Sequence, residues 1–327
     1  MKTRSFLKLA FSAAVLASAL SANAQTTKIR FAHAGPETAS QHLAALEFAK
    51  LVKDRSKGQL EVQVYPGSQL GNDSTVLGAV RGGTIDMMMA GSGNFSGMAS
   101  HFEVLDIPFL FRNPAHAYAT VDGAVGQGLM KELEGNGLKQ LAFWEVGFRS
   151  ITTKNRPVRT PADVKGLKIR TMGNPVHIQA WKLLGTNPIP MPLGELYQAL
   201  ESGAVDAQEH PVDITYAAKF YEVQKHLTLT KHAFTAMPVV INKAKFDGFT
   251  PDQKKALLSA ASDSKLFQRN LNQKNEAGII ADMRKQGMTV IDTFDPAPFK
   301  ALVGEEVRKS YVAKNGPELL VAVDAIK

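Results

Sequence analysis

Two arginines stand where a small anion could be held. Arg170 closes the short apolar strand Leu167–Ile169 and is followed by Thr171-Met172-Gly173-Asn174. Strand ends in α/β sheets are where ligands bind, and a guanidinium offers a planar fork that meets a carboxylate with two parallel hydrogen bonds. Arg149 lies at a similar junction, after Phe143-Trp144-Glu145-Val146-Gly147-Phe148. A surface arginine paired to an acid has the same local sequence, so spacing alone leaves both roles open. His210, in Asp206-Ala207-Gln208-Glu209-His210-Pro211, could donate to a hydroxyl or a second carboxylate, or be an ordinary loop histidine. Phe148, Trp144 and Tyr216 could shape a pocket for an aromatic acid, whereas Met87-Met88-Met89 reads as core.

Other chemistries lack their residues. The eight histidines are His33, His42, His101, His116, His177, His210, His226 and His232, and no pair of them has a compact metal-binding spacing. No G-x-S-x-G nucleophile elbow occurs. Gly91-Ser92-Gly93 begins like a dinucleotide loop, but the third glycine falls on Ser96, so tight turns and close backbone approach explain these glycines better. Cysteine is absent, which removes thiolate nucleophiles, Cys-based metal sites and a lipidated cysteine. The formal charge of +8 is spread among acids rather than clustered, so no nucleic-acid partner is expected.

The chain has 327 residues, 44% of them hydrophobic, which is a globular composition. Its first 24 residues have the layout of a secretory signal. Lys2, Arg4 and Lys8 precede the apolar run Leu9–Leu20, and Ala22-Asn23-Ala24 is a small-x-small cleavage site. Cleavage after Ala24 would release a periplasmic protein that is not membrane-inserted, because no later stretch holds about 18 uninterrupted apolar residues. ATP and NAD are scarce outside the cytoplasm, which weighs against enzymes that consume them. At roughly 100–200 residues per domain, the mature length suggests two domains.

The elements that must position the arginines alternate between strand and helix. Lys28–His33 and Leu60–Tyr65 alternate like strands, and between them Leu43, Leu46, Phe48, Leu51 and Val52 recur at helical spacing. Thr38 and Gln41 would form the capping box of that helix, and Gly58 would end it. A helix over about 74–81 leads into a buried strand at 85–90. In the second half, strands at 166–170 and 204–207 flank helices at 176–184 and 195–201. Thr250, Pro251 and Gln253 open a helical stretch that runs to about Lys285. At about 1.5 Å per residue it would exceed 45 Å and brace more than one domain. The pattern is α/β with mainly parallel sheets. Ala79-Val80-Arg81-Gly82-Gly83-Thr84-Ile85-Asp86 also resembles Ala199-Leu200-Glu201-Ser202-Gly203-Ala204-Val205-Asp206, 120 positions later. Either a duplicated unit or the commonness of helix–Gly–strand junctions explains this.

Several motifs in order carry a family resemblance. They are Gly67-x-x-Leu70-Gly71, Arg81–Met87, Leu105-Asp106-Ile107-Pro108-Phe109-Leu110-Phe111, Ala162–Arg170 and Leu196–Glu209. Together they cover nearly all of the mature chain, which resembles the solute-binding proteins of tripartite ATP-independent periplasmic (TRAP) transporters, C4-dicarboxylate-binding (DctP-type) group. The resemblance implies a two-lobed α/β fold with crossing hinge segments and a long helix spanning both lobes. By it, lobe I takes residues 25–147 plus about 234–275, and lobe II takes 148–233 plus about 276–327. It also implies a monomeric receptor, with no cofactor and no catalysis, that closes over a small organic acid (a carboxylate, dicarboxylate or sugar acid) and delivers it to the TRAP membrane permease subunits. Arg170 would clamp the carboxylate and Arg149 would assist. Many relatives carry Asn where this chain has His210, next to Glu209, and that departure leaves the acid open. By position, His33, Gln41, Asn72 and Asn94 would complete the cleft. A sensory module that feeds a membrane signalling partner is the alternative use of such a fold.

Overall fold

The computed structural model describes residues 26–327, so the signal segment and its cleavage site lie outside the described residues. Nine strands form one sheet: β1 (Thr27–Ala32), β2 (Leu60–Tyr65), β3 (Met87–Met89), β4 (Leu138–Thr153), β5 (Lys168–Thr171), β6 (Asn187–Pro190), β7 (Ala207–His210), β8 (His226–Asn242) and β9 (Thr289–Ile291). Their order is β2-β1-β3-β8-β4-β7-β5-β6, with β9 beside β8. The main helices are α1 (Ser40–Arg55), α2 (Asp73–Arg81), α3 (Pro175–Leu183), α4 (Leu193–Ser202), α5 (Val212–Ala217), α6 (Pro251–Lys285) and α7 (Ala297–Asn315).

The sheet is mixed rather than mainly parallel. Each outer triplet is parallel, β1 with β2 and β3, and β5 with β6 and β7. Two long strands, β4 and β8, run antiparallel to each other and to the neighbouring triplets. They are the segments that cross between the lobes, and they make the two half-sheets continuous. Side chains alternate along each strand. Ile29, Phe31, Met87, Met89, Val239 and Ile241 therefore face one core, while Ala32, Met88 and Val240 face the other. The methionine run is core on both faces. Phe31, Phe48 and Trp144 meet edge to face, with centroids 5.7–6.4 Å apart.

The 120-residue repeat is structural. Gly83 and Gly203 share positive φ values of 79° and 75°, conformations that glycine adopts without steric cost. Ile85 N–H donates to the Ala79 carbonyl at 3.3 Å, and Val205 N–H to the Ala199 carbonyl at 3.1 Å. Asp86 Oδ2 accepts from Arg30 N–H at 2.7 Å, and Asp206 Oδ2 accepts from Lys168 N–H at 2.9 Å. Each aspartate thus ties the loop before one strand to the neighbouring parallel strand.

Three local expectations need correction. The α1 helix starts at Ser40 with Ala39 as its cap and no side-chain capping bond, because Gln41 turns inward and donates to the Glu145 carbonyl at 3.3 Å. The strand expected at 204–207 lies at Ala207–His210, because the Asp206 anchor precedes it and the polar Gln-Glu-His run is the strand itself. Likewise β3 is shorter than the apolar run 85–90. By contrast, α6 keeps its capping box, with Gln253 N–H donating to Thr250 Oγ1 and Thr250 N–H to Gln253 Oε1. Its 35 residues span about 52 Å at 1.5 Å each, and it packs on α1, β4 and α5.

Candidate functional site

Arg170 is the third residue of the four-residue strand β5, and it is 3% exposed. Its Nε and Nη2 donate to the Met191 carbonyl at 3.0 and 2.7 Å, which fixes the plane of the guanidinium. Nη1 donates to His210 Nε2 at 3.2 Å. The other ring nitrogen of His210 donates to Gln208 Oε1 at 2.5 Å, so the hydrogen-bond network assigns the Nδ1–H tautomer. Burial, then Arg149 and Arg170, hold the His210 pKa well below its ordinary value, and the ring is neutral. Both of its nitrogens are spent on protein partners. His210 therefore orients Arg170 instead of standing as a free donor. Among the described residues no carboxylate lies within 4 Å of the Arg170 guanidinium. Burial, then Arg149, lowers its pKa to about 10, which leaves it charged at neutral pH.

Arg149 does not sit at a strand end. It lies inside the 16-residue strand β4, beside a register shift between Arg149 and Ile151, so its side chain is held by the crossing strands. Its Nε and Nη2 engage the Glu209 carboxylate, the latter at 3.0 Å to Oε1, and Nη1 donates to Thr235 Oγ1 at 3.1 Å. Glu209 is fully buried behind Arg149 and also accepts from His232 Nε2 at 3.2 Å. Burial opposes its ionisation, but Arg149 and the hydrogen bond from His232 outweigh that and hold the carboxyl well below its usual range. Arg149 is a paired, oriented cation, whereas Arg170 is not paired.

Both arginines face the same cavity between the half-sheets. The structure also brings His33, Gln41, Asn94 and His210 to its wall. His33 Nε2 meets His42 Nδ1 at 3.1 Å, while burial and His42 push its pKa down to about 3, so it is neutral. His33 Nδ1 and Gln41 Oε1 are buried and have no hydrogen-bond partner among the described residues. Asn94 Nδ2 donates to the Gly91 carbonyl at 3.2 Å and reaches Asp73 Oδ2 at 3.4 Å. Two expected residues stand apart. Glu209 does not line this cavity, since it is sealed behind Arg149. Asn72 caps α2 by accepting from Thr75 N–H at 3.0 Å and borders the outer mouth instead.

The aromatic-acid option fails geometrically. Trp144 is core and donates to the Ala261 carbonyl, Phe148 packs on Phe234, and Tyr216 stacks on Tyr221; none of the three lines the cavity. Sequence reading missed Asp73, Met172 and Leu193, which do line it. The 120-residue offset carried a usable signal here, because it relates Asp73 to Leu193. Gly93 realises the close-approach reading of the glycines: a Cβ there would lie 2.4 Å from Asn174 Nδ2. Among the described residues no cluster of ligating side chains could hold a metal ion.

The model for bacterial extracellular solute-binding proteins, family 7 (DctP), matches residues 31–314. The chain belongs to that family. It is 46% identical over 329 residues to the 2,3-diketo-L-gulonate-binding periplasmic protein YiaO of Escherichia coli, covering both chains fully. A TRAP periplasmic solute-binding protein from Polaromonas, bound to D-erythronate, superposes with a TM-score of 0.90 at 33% identity, over 92% of this chain and 99% of that one. The sugar acid-binding protein DctPAm of Advenella mimigardefordensis, in complex with galactonate, superposes at 0.88 with 32% identity, over 91% and 97%. Family 7 proteins are solute-binding receptors, and these neighbours share the two-lobed architecture. No described helix of this member is long and apolar enough to cross a membrane.

Proposed function

We propose that this protein is the periplasmic receptor of a TRAP transporter and that it captures a small hydroxylated organic acid by its carboxylate. The observation that carries the reading is Arg170, a buried guanidinium held in plane by the Met191 carbonyl and His210, facing a cavity and lacking a protein carboxylate. A buried charge without a counter-ion is costly, and a ligand carboxylate supplies one with matching geometry. Arg149, its charge balanced by Glu209, stands as a fixed polar group at the wall beside Arg170. His33, Gln41 and Asn94 supply neutral polar contacts from the other lobe. The likeness to receptors bound to erythronate and galactonate, and to one named for diketogulonate, supports a sugar acid as cargo.

The lobes in this reading meet near Gly147–Phe148 on β4 and Phe234–Thr235 on β8, residues that pair across the two crossing strands. Hinge closure there would bury the acid and present a closed shape to membrane permease subunits. The receptor acts as a monomer without catalysis, after cleavage following Ala24. A thermal-shift screen over aldonates, uronates, keto acids and dicarboxylates tests the reading. A ligand at about 100 times its Kd adds about 2.7 kcal/mol of stability. Stabilisation by none of these acids would sink it.

A further inference from the structure

The repeat pairs the cavity residues of one lobe with those of the other. Strand register matches Phe31 and Ala32 against Met87 and Met88 in the first lobe, and Ile169 and Arg170 against Ala207 and Gln208 in the second. Arg170 therefore has Ala32 as its counterpart. Asp73 opens α2, and 120 positions later Leu193 opens α4; both line the cavity. Charge is thus placed once per lobe and with opposite sign: Arg170 in the second, Asp73 in the first. Each has an apolar partner in the repeat. Asp73 and Arg170 do not form an ion pair with each other, so a ligand can lie between them.

The remaining groups facing the cavity leave this arrangement uncancelled. Arg149 is neutralised by Glu209, and His33 and His210 are neutral. The first-lobe wall offers acceptors: the Asp73 carboxylate, which Asn94 Nδ2 reaches at 3.4 Å, and Gln41 Oε1, buried and unpartnered among the described residues. Acceptors are satisfied by ligand hydroxyls, not by a second carboxylate. A like charge set against a half-buried carboxylate is a repulsive element, and specificity is commonly built from such elements.

We propose that Asp73 is a specificity-determining residue that admits hydroxylated monocarboxylates, of the aldonate class, and rejects the matching diacids. This rests on the reading of Arg170 as the carboxylate-binding residue. The ligand carboxylate lies on Arg170, and its distal hydroxyls donate toward Asp73 and Gln41. Oxidising the distal carbinol to a carboxylate removes a donor and brings a negative charge toward Asp73.

Matched pairs test this by titration calorimetry: erythronate with meso-tartrate, and galactonate with galactarate, which differ only at the terminal carbon. The wild-type protein should bind at least one aldonate about tenfold or more tighter than its diacid. In Asp73→Asn the gap should shrink to about threefold or less, mainly because the diacid gains. An Arg170→Ala arm separates the two ideas, since loss of all binding there keeps the carboxylate reading whichever way the pairs fall. A wild-type protein that holds the diacid as tightly as the aldonate overturns the proposal without a variant being needed. So does an unchanged ratio in an Asp73→Asn protein whose circular dichroism is native. If none of the four acids binds the wild-type protein, this inference goes, while the underlying reading falls only if uronates and keto acids fail as well.

Discussion

The two half-sheets are built on one plan and loaded differently. In the first, β3 reads Met87-Met88-Met89 and continues into Ala90. In the second, the equivalent strand reads Ala207-Gln208-Glu209-His210. The anchoring aspartates, the left-handed glycines and the parallel pairing are the same in both. The first lobe therefore contributes apolar core and neutral polar contacts, with a single acid, Asp73, at the cavity wall. The second concentrates a polar network: Arg170 on His210, His210 on Gln208, and Arg149 on Glu209. A shared scaffold can carry such asymmetry because strand ends tolerate substitutions that do not alter pairing. It follows that charge removal should hurt the second lobe far more than the first.

The largest effect is expected at Glu209, the counterpart of Met89. Removing one partner of a buried pair strands the other charge, at a cost of about 3–5 kcal/mol. Glu209→Ala should lower the stability of the ligand-free protein by that order in urea unfolding. Replacing Arg149 and Glu209 together by methionine should restore much of it, because no charge is then left unpaired. Wild-type stability in Glu209→Ala would mean that Arg149 finds water in the cavity, and the network would lose its structural role.

Next in size is Arg170, whose counterpart Ala32 carries no charge. Truncating one side of a buried charged contact costs about 2–5 kcal/mol of binding, so Arg170→Ala should weaken the cognate acid at least about 30-fold. Arg170→Lys should also bind poorly, because an ammonium cannot keep both donors on Met191 and a fork on the ligand. Calorimetric titration with circular dichroism checks both variants. Near-native affinity in a folded Arg170→Ala protein would move the carboxylate elsewhere.

How far the sequence revealed this asymmetry depends on range. Local signals were legible: the Thr250 capping box, the Gly58 and Gly203 stops, and the alternation in β1 and β2 all depend on residues within a few positions. Arg170 was legible because its strand is short and ends nearby. Arg149 was misplaced at a junction because nothing local marks the length of β4, which is set by pairing with β8 across the lobes. The roles of Glu209 and His210 depend on partners 23 to 60 residues away, so a ligand contact and a supporting contact read alike. Nothing local marks Asp73, which lies just before the helix expected at 74–81, and only the fold brings it to the cavity.

A smaller difference is expected at the two anchors. Asp86 accepts from Arg30 N–H and also pairs with Lys245 at 2.7 Å and with Arg30 at 3.2 Å. Asp206 accepts from Lys168 N–H, and no ion pair to it occurs among the described residues. Asp86→Asn should therefore cost more than Asp206→Asn, about 1–3 kcal/mol against about 1. Burial works against ionised Asp86, but Lys245 and Arg30 outweigh it and lower its pKa from the ordinary 3.8. A lowered acid pKa gives stability that is present above 3.8 and lost as pH falls through the folded value. The wild-type advantage over Asp86→Asn should hold at pH 7 and shrink below about pH 4 in urea unfolding. An advantage that persisted at pH 3 would assign the effect to packing.

The smallest expected effect is a pH dependence of ligand choice, and it isolates the one acid that lines the cavity. Burial raises the Asp73 pKa to about 6, with Arg170 pulling the other way. The shifted groups at the cavity do not change state near that pH: Arg170 stays charged and His33 and His210 stay neutral, while Glu209, sealed behind Arg149, stays ionised. Asp106, also raised to about 6 by burial, titrates nearby but lies on Ser92 outside the cavity wall. As pH falls through about 6, Asp73 takes up a proton and its repulsion of a second ligand carboxylate disappears. The diacids themselves stay ionised at pH 5, because ordinary carboxyl values lie near 4. The affinity of galactarate relative to galactonate should therefore rise several-fold from pH 7.5 to pH 5, a change of about 1 kcal/mol or less. In Asp73→Asn the ratio should be flat over the same range, which separates Asp73 from Asp106. A pH-dependent ratio that survives Asp73→Asn would shift the discrimination to Asp106 and its neighbours. The contrast between a charged and a neutral lobe would then have to be redrawn.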